Sequence, residues 1–131
     1  MLRRTEAVVP YTANQMFDLV ADVEQYPDFL PWCVALRIVE HDVSDVQGVL
    51  IAVMVVAYRV FRERFRSRVE LDRKGGAIDV EYLDGPFRKL ENRWRFRDLR
   101  DGDSMVDFEI EFEFRSVMLQ TTAQMVFDKA F

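Results

Sequence analysis

The sequence is poor in the residues that build metal centres and covalent crosslinks. Its 131 residues include one cysteine, Cys33, and one histidine, His41. A single cysteine allows no internal disulfide, which is typical of a protein in a reducing compartment. One cysteine and one histidine cannot form a soft-metal site. We therefore expect no metal site and no required cofactor.

The sequence also lacks an excess of positive charge and a long apolar run. Its 18 basic and 23 acidic residues give a net charge of −5, which argues against non-specific binding to DNA or to anionic membranes. No signal peptide precedes the first strand-like segment, and no apolar run could span a membrane. There are no linkers or internal repeats. These features predict a single cytoplasmic domain covering residues 1–131.

The start of the chain predicts a strand followed by one or two short helices. Residues Leu2 to Val9 are strand-like, and Thr12 with Gln15 forms a capping-box pattern that starts a helix. Residues 24–28 add a second short helix, which Pro31 prevents from continuing. The apolar face of the first helix is expected to contain Met16, Leu19, Val20 and Val23.

A rigid apolar corner follows these helices. The segment Tyr26-Pro27-Asp28-Phe29-Leu30-Pro31-Trp32-Cys33 contains two prolines and three aromatic residues. Because proline fixes φ and restricts the residue before it, the corner is neither a helix interior nor a central strand. It either lines the mouth of a cavity or plugs the contact between the helices and a sheet. Large aromatic residues are core residues more often than ligand contacts, which favours the plug.

Six further strands are predicted from the alternation of apolar and polar residues. In the segment Val49–Val56, the residues on both faces of the predicted strand are apolar. Either both faces of its strand are covered, or one face is an exposed patch that meets a partner. The six predicted strands are Val34–Asp42, Gln47–Ala57, Phe61–Asp72, Ala77–Leu83, Leu90–Arg97 and Val106–Phe114.

Two of these strands carry a row of arginines. One row faces a predicted row of acidic residues, so we interpret it as a solvated ion-pair ladder; it comprises Arg93, Arg95 and Arg97. The other row has no acidic counterpart of similar length and comprises Arg62, Arg64, Arg66 and Arg68. On this second strand, Glu63 and Ser67 fall on the apolar side.

The end of the chain predicts a helix. From Val117 the period becomes helical, and the pattern still runs at Phe131, so we expect this helix to be incomplete. Its predicted apolar face comprises Met118, Leu119, Thr122, Met125, Val126 and Phe127. The order of elements predicts an α+β domain with a mainly antiparallel sheet, whose concave face the terminal helix covers. A sheet around a helix encloses an apolar pocket where packing is incomplete.

Specific motifs are spread over nearly the whole chain. They are Tyr11-Thr12 with Gln15 and Phe17, Leu19 to Val23, Tyr26 to Cys33, Phe65 to Val69, Asp84 to Leu90, Trp94 to Phe96, Val106 to Phe108, and Phe112 to Ser116. With these motifs the sequence resembles the coenzyme Q-binding START-domain family of the polyketide cyclase/START superfamily, which also includes bacterial ribosome-association toxins. The Pro-Trp-Cys corner and the Gly-Pro-Phe turn are specific in combination.

The resemblance implies a helix-grip fold, in which a curved antiparallel sheet of about seven strands surrounds a C-terminal helix and a hydrophobic tunnel lies between them. It implies a non-enzymatic carrier or chaperone that binds ubiquinone or a related polyprenyl lipid and supports respiration and ubiquinone biosynthesis. Such a protein is expected in the cytoplasm or peripherally at the inner face of the inner membrane. Residues 49–60 are its expected membrane contact.

The expected ligand suggests a set of binding residues. Aromatic rings can stack against a quinone ring, and Ser67 or Asn92 can hydrogen-bond its carbonyl oxygens, although most of the aromatic residues are expected to fill the core. No catalytic residue is predicted. The predicted ligand-binding residues are Tyr26, Phe29, Trp32, Phe65, Ser67, Phe87, Asn92, Trp94, Phe112, Phe114 and Leu119.

Two other functions remain open from the sequence. A ribosome-association toxin would bind the large ribosomal subunit and block subunit joining, and only the arginine-rich strand favours this alternative. A helix-grip cyclase or hydrolase would need a positioned acid or base in the pocket. Only Glu63 appears on the inward side, His41 lies near a turn, and no nucleophile–base pair is visible.

Overall fold

The seven predicted strands form one antiparallel sheet. The computed structural model describes residues 2–44, 47–58 and 61–130, apart from the side chains of residues 58, 61, 123 and 126–130. The strands are β1 (Leu2–Val9), β2 (Cys33–Val43), β3 (Gln47–Tyr58), β4 (Phe61–Asp72), β5 (Ala77–Asp84), β6 (Phe87–Asp98) and β7 (Ser104–Phe114). Their order across the sheet is β1-β7-β6-β5-β4-β3-β2. The sheet is curved, and the predicted α+β helix-grip fold is confirmed.

Three helices and one 3₁₀ turn complete the fold: α1 (Ala13–Ala21), the 3₁₀ turn (Val23–Gln25), α2 (Tyr26–Phe29) and α3 (Val117–Ala130). α1 begins with the predicted capping box. The Thr12 hydroxyl accepts a hydrogen bond from the Gln15 N–H at 3.1 Å, and Gln15 Oε1 accepts one from the Thr12 N–H at 2.9 Å. Two N–H groups at the helix start are thereby satisfied.

α1 is fixed to one end of the concave face of the sheet. Phe17 is buried there and makes an edge contact with Phe96, with ring centroids 6.1 Å apart. The Arg73 guanidinium lies 4.7 Å from the centre of the Phe17 ring and also pairs with Asp18. Asp98 accepts a hydrogen bond from the Ala13 N–H at 2.8 Å. The helix therefore covers only this end of the sheet.

Two details of the predicted apolar pattern are wrong near the start of the chain. Leu19 is 54% exposed, because Phe17 and Val20 are the residues of α1 that face the sheet. Val34, which the alternation of Val34, Leu36 and Ile38 predicts to be on the buried side of β2, is also exposed. It lies in a β-bulge, where Cys33 and Ala35 are paired with consecutive residues of β3, and the extra residue leaves the regular alternation.

The predicted face of α3 is confirmed only in part. Leu119 is half-buried and packs against the core. Met118 and Met125 are 77% and 51% exposed, so their assignment to the buried face is wrong. The side chains of Val126 and Phe127 lie outside the described residues.

Ion pairs are present on the convex face of β6 and β7, but the predicted partners are wrong: among the described residues, Arg93, Arg95 and Arg97 form no ion pair with the acidic row of β7. Lys89 Nζ lies 2.9 Å from Glu111 Oε1, and Arg88 Nη1 lies 2.9 Å from Glu113 Oε1. Arg95 is paired with Asp79 of β5 at 2.7 Å. This half of the convex face is nevertheless a charge-balanced surface, because basic residues of β6 lie beside acidic residues of β5 and β7.

Candidate functional site

The concave face of the sheet carries two separate apolar clusters. The α1 cluster lies beneath α1 and consists of Phe17, Val20, Val23, Leu50, Val69, Leu71, Ile78, Phe96 and Val106. The aromatic cluster lies near the start of α3 and consists of Phe87, Leu90, Phe112 and Phe114, with Phe65, Tyr82, Ile110 and Leu119 packed against it. The ends of the concave face are thus closed by different elements, and the space between the two clusters is the candidate site.

An apolar trough connects the two clusters. It consists of Val80, Asn92, Trp94, Phe108 and Ile110, all of which are half-buried. Trp94 lies opposite Phe108 across the β6–β7 pair, and Asn92 lies opposite Ile110. The rings of Trp94 and Phe108 meet edge to face with centroids 4.6 Å apart. A wide aromatic surface is therefore partly open at the middle of the sheet.

Asn92 organises the trough through two hydrogen bonds. Its Oδ1 accepts a hydrogen bond from Trp94 Nε1 at 3.0 Å, and its Nδ2 donates one to the Glu109 carbonyl at 2.9 Å. These bonds fix the orientation of the indole ring. They also occupy one donor and one acceptor position of the carboxamide, so Asn92 is mainly a positioning residue for Trp94.

Ser67 is the other predicted polar residue on this face. It is 6% exposed and lies opposite Ala52 and Tyr82 on the neighbouring strands. Its hydroxyl forms no hydrogen bond with any described residue. A hydroxyl without a partner on an apolar surface can bind a carbonyl oxygen, because such a bond replaces the one lost from water.

Three of the predicted ligand-binding residues belong to the buried core instead of the open trough. Phe87, Phe112 and Phe114 are at most 6% exposed. Phe87 stacks on Phe114 with centroids 4.3 Å apart and meets Phe65 edge to face at 5.2 Å. The Phe87 N–H donates a hydrogen bond to the Tyr82 hydroxyl at 3.2 Å. These rings form one end wall of the trough.

The proline-rich corner seats the helices on the sheet, and part of it remains exposed. The Tyr26 hydroxyl donates a hydrogen bond to the Val20 carbonyl, and burial raises the pKa of Tyr26 well above its usual range. Burial also raises the pKa of the Cys33 thiol. Phe29 is 53% exposed, and Trp32 is half-buried. The plug interpretation therefore fits Tyr26 and Cys33, whereas Phe29 lies at the surface.

The trough also contains residues that the sequence prediction left out. Val80, Phe108 and Ile110 were not in the predicted set, although alternation places Phe108 and Ile110 on the inward face of β7. Two pockets of about 290 Å³ and 180 Å³ lie beside α1, and none of the eleven predicted residues lines either of them. The trough is distinct from both pockets, since none of its five residues lines either of them.

The described residues provide neither a metal-binding cluster nor a membrane-spanning helix. Within residues 2–44, 47–58 and 61–130, no group of histidine, cysteine and carboxylate side chains could hold a metal ion. Among the helices in these ranges, none has the length and apolar character needed to cross a bilayer.

The sequence matches a known family and several named proteins. The family described as polyketide cyclase/dehydrase and lipid transport matches residues 9–131. The ribosome association toxin RatA of Pseudomonas aeruginosa is 32% identical over 95% of this chain and 83% of its own length. The mitochondrial coenzyme Q-binding protein COQ10 homolog B of Xenopus laevis is 31% identical over 93% of this chain and half of its own length. The predicted family resemblance is thus confirmed.

Solved structures agree with the fold. The solution structure of an 18 kDa protein from Caulobacter crescentus has a TM-score of 0.80 and 36% identity, covering 99% of this chain and 87% of that one. The Zhui aromatase/cyclase of Streptomyces has a TM-score of 0.69 at 21% identity, covering 89% of this chain and 71% of that one. At that identity the likeness concerns the fold alone.

Proposed function

Because the chain belongs to the polyketide cyclase/dehydrase and lipid transport family, we propose that it binds a polyprenyl lipid in the trough and acts as a carrier. Ubiquinone is the specific ligand that we propose. The observation that carries this proposal is the half-buried aromatic surface of Trp94 and Phe108, which lies between two closed apolar clusters. A planar quinone ring can stack there, and its isoprene units can cover the neighbouring apolar residues.

A hydroxyl beside the trough, on the neighbouring strand β4, supports a ligand with carbonyl oxygens. The Ser67 hydroxyl is available to donate, whereas the Asn92 amide already binds Trp94 and Glu109. We therefore assign Asn92 the orientation of the Trp94 ring. Ser67 lies opposite Tyr82, four residues along β4 from the register position of Trp94, so we assign it a hydrogen bond to a ligand oxygen at the aromatic-cluster end of the trough. The domain is too small to enclose a full polyprenyl tail, so the head group and the first isoprene units occupy the trough.

A carrier role fits the chemistry of the trough better than catalysis. General acid–base catalysis needs a titratable group within hydrogen-bond reach of the substrate. The five trough residues carry none. His41 is exposed on β2, and Glu63, which shares the concave face, lies opposite Val56 near the start of β4. We therefore propose a non-enzymatic function.

Fluorescence titration with short-tailed ubiquinone tests this proposal, because quinones quench indole emission. In Trp32→Phe the remaining indole is Trp94, and we expect saturable quenching. In that background Ser67→Ala should weaken binding about fivefold, since it removes one hydrogen bond. Phe108→Ala should weaken binding about tenfold or more, since it removes a stacking surface. Tyr11→Ala is the matched control, because Tyr11 is 55% exposed and lies outside the trough.

Two results would contradict the proposal. One is the absence of saturable quenching in folded Trp32→Phe protein. The other is an equal loss of affinity in Phe108→Ala and Tyr11→Ala, which would place the ligand elsewhere.

Association with the large ribosomal subunit is a second candidate function. The name of the Pseudomonas relative supports association with the ribosome, and the arginine row of β4 offers a basic surface for it. It is tested by sedimenting ribosomes with added protein at low magnesium and at physiological magnesium. Co-sedimentation with the large subunit and a loss of joined ribosomes would favour this candidate. An unchanged profile would exclude it.

A further inference from the structure

The convex face of the sheet has a second half that is not charge-balanced. Arg62, Arg64 and Arg66 of β4 are exposed and form no ion pair with any described residue. Arg68, the next in the row, does lie 3.1 Å from Glu70. Asp84 is opposite Arg66 in the register, but the two form no ion pair. Three neighbouring unpaired arginines contrast with the net charge of −5 of the chain.

Apolar residues of β3 lie directly beside these arginines. Val55 is opposite Arg64, and Val53 is opposite Arg66 and, on its other side, opposite Arg37. Arg37 is exposed and also has no ion pair among the described residues. The two valines are half-buried. The surface is therefore an aliphatic stripe with arginines on both sides.

Further exposed apolar side chains lie at the same end of the sheet. Because all neighbouring strands are antiparallel, this end of the sheet contains the start of β2, the end of β3, the start of β4 and the end of β5. The helix α3 also begins here, after the end of β7. The Arg115 N–H donates a hydrogen bond to the Pro86 carbonyl at 3.0 Å, which brings the start of α3 to the β5–β6 turn. The exposed residues here are Val34 (43%), Leu83 (44%), Val117 (83%) and Met118 (77%).

We propose that this end of the sheet docks on an anionic phospholipid bilayer, with Arg62, Arg64 and Arg66 at the phosphates and with Val117 and Met118 in the interfacial region. Arginines attract the negative surface of the bilayer, and exposed aliphatic residues gain free energy by leaving water. Single-stranded nucleic acid is usually bound by aromatic side chains that stack on bases. No described exposed aromatic residue lies on the convex face beside these arginines, so the surface fits lipid better than RNA.

The docking surface would serve the proposed carrier function, and its biological role rests on that proposal. The aromatic cluster lies at the same end as the docking surface, and Leu119 of α3 packs on it. A lipid leaving the bilayer would enter the trough past this cluster. Docking would therefore place the trough entrance at the membrane, so that the isoprene tail need not cross water.

Co-sedimentation with vesicles tests the docking surface, using phosphatidylcholine vesicles with and without phosphatidylglycerol and free of quinone. We expect binding only to the anionic vesicles, with weaker binding at higher salt. Arg62→Gln/Arg64→Gln/Arg66→Gln should weaken that binding on the order of 100-fold, at about fivefold for each arginine. The matched control Arg93→Gln/Arg97→Gln/Arg100→Gln removes the same three charges from exposed positions away from this surface. It should bind within about threefold of wild type.

The variant Val117→Ser/Met118→Ser tests the contribution of the exposed apolar residues of the docking surface. We expect about tenfold weaker binding to anionic vesicles, because two side chains lose their transfer from water. All substituted residues are exposed, so loss of the fold is not expected, and circular dichroism checks it.

The outcomes separate docking from ligand binding. Equal loss in the two arginine variants, or binding of wild type to neutral vesicles as strong as to anionic ones, overturns the docking proposal. So does a β4 variant that binds vesicles normally but no longer sediments with large ribosomal subunits, since the surface would then bind RNA. Vesicle binding with the expected variant pattern supports docking even where the quinone titration fails, and that failure would count against the carrier function alone.

Discussion

The aromatic cluster provides the sharpest test of which predicted ligand-binding residues belong to the core. The ring of Phe87 touches four others, with centroids 5.2 Å from Phe65, 5.5 Å from Tyr82, 6.3 Å from Phe112 and 4.3 Å from Phe114. Phe87 is 6% exposed. Phe87→Ala therefore removes a ring from the centre of a packed group and leaves a cavity.

The expected cost follows from the buried area. A phenylalanine side chain buries roughly 150 Å² or more, and at about 25 cal/mol per Å² this gives about 4 kcal/mol. Phenylalanine-to-alanine changes in protein cores cost about 3–5 kcal/mol. This is a large fraction of the roughly 5–15 kcal/mol by which a domain is normally stable. Phe87→Leu fills most of the space and should cost roughly 1–1.5 kcal/mol.

Urea unfolding followed by tryptophan fluorescence measures these changes. With a slope of about 2 kcal/mol per M, Phe87→Ala should lower the midpoint by about 2 M. Phe29→Ala is the matched control, because Phe29 is 53% exposed, and its cost should be below about 1 kcal/mol. If the two alanine variants are equally stable, Phe87 is not a core residue and the division between cluster and trough is wrong.

Three further predictions concern the helix cap, a turn and the buried thiol. Thr12→Ala should lower the free energy of unfolding by about 1 kcal/mol, because it removes the bond from the Gln15 N–H; an unchanged urea midpoint would refute this role. Gly85→Ala should cost about 1–3 kcal/mol, because Gly85 has φ +144° and a Cβ would lie 2.6 Å from Phe65 Cβ; thermal unfolding measures this loss. Burial raises the pKa of the Cys33 thiol in the folded state. The stability that the neutral thiol contributes is therefore complete below the ordinary thiol pKa of about 8.5, and it decreases at higher pH, where the thiol of the unfolded chain ionises first. Between about pH 8 and 9.5, the free energy of unfolding measured in urea should therefore decrease with pH, and Cys33→Ala should make this pH dependence weaker. The same pH dependence in both proteins would exclude the thiol as its cause.

The alternation of residues predicted most of the sheet because charge marks the outward side of the strands. In β4, Ser67 and Val69 are buried while Arg66 is exposed, as the pattern indicated. The same holds in β6, where Phe96 is buried and Arg97 is exposed. A period of two needs no knowledge of the partner strand, so these assignments follow from the sequence alone.

The failures depend on contacts that the sequence does not display locally. Val34 leaves the pattern because of a bulge in the pairing of β2 with β3. Leu19 is exposed because the direction of α1 is set by Phe17 on Phe96 and by Arg73, which is more than fifty residues away. Local periodicity cannot specify where a short helix settles on a sheet.

The division of the aromatic residues into core and trough could not be predicted either. Phe87 and Trp94 share the inward face of β6 only because the register shifts between Phe87 and Lys89, and one is buried whereas the other is half-buried. The difference arises because four rings surround Phe87, whereas Trp94 packs at the edge of the α1 cluster and meets the rings of Phe96 and Phe108. The Asn92–Trp94 hydrogen bond is likewise a property of the folded strand, in which residues two apart share a face.

Mass spectrometry of lipid extracts tests the carrier function most directly. The protein is expressed in a ubiquinone-producing bacterium and purified without detergent, together with the Phe108→Ala and Tyr11→Ala variants. We predict near-stoichiometric ubiquinone in the wild type and in Tyr11→Ala, and its loss from folded Phe108→Ala. A folded wild-type protein that contains no polyprenyl lipid would contradict the proposed function.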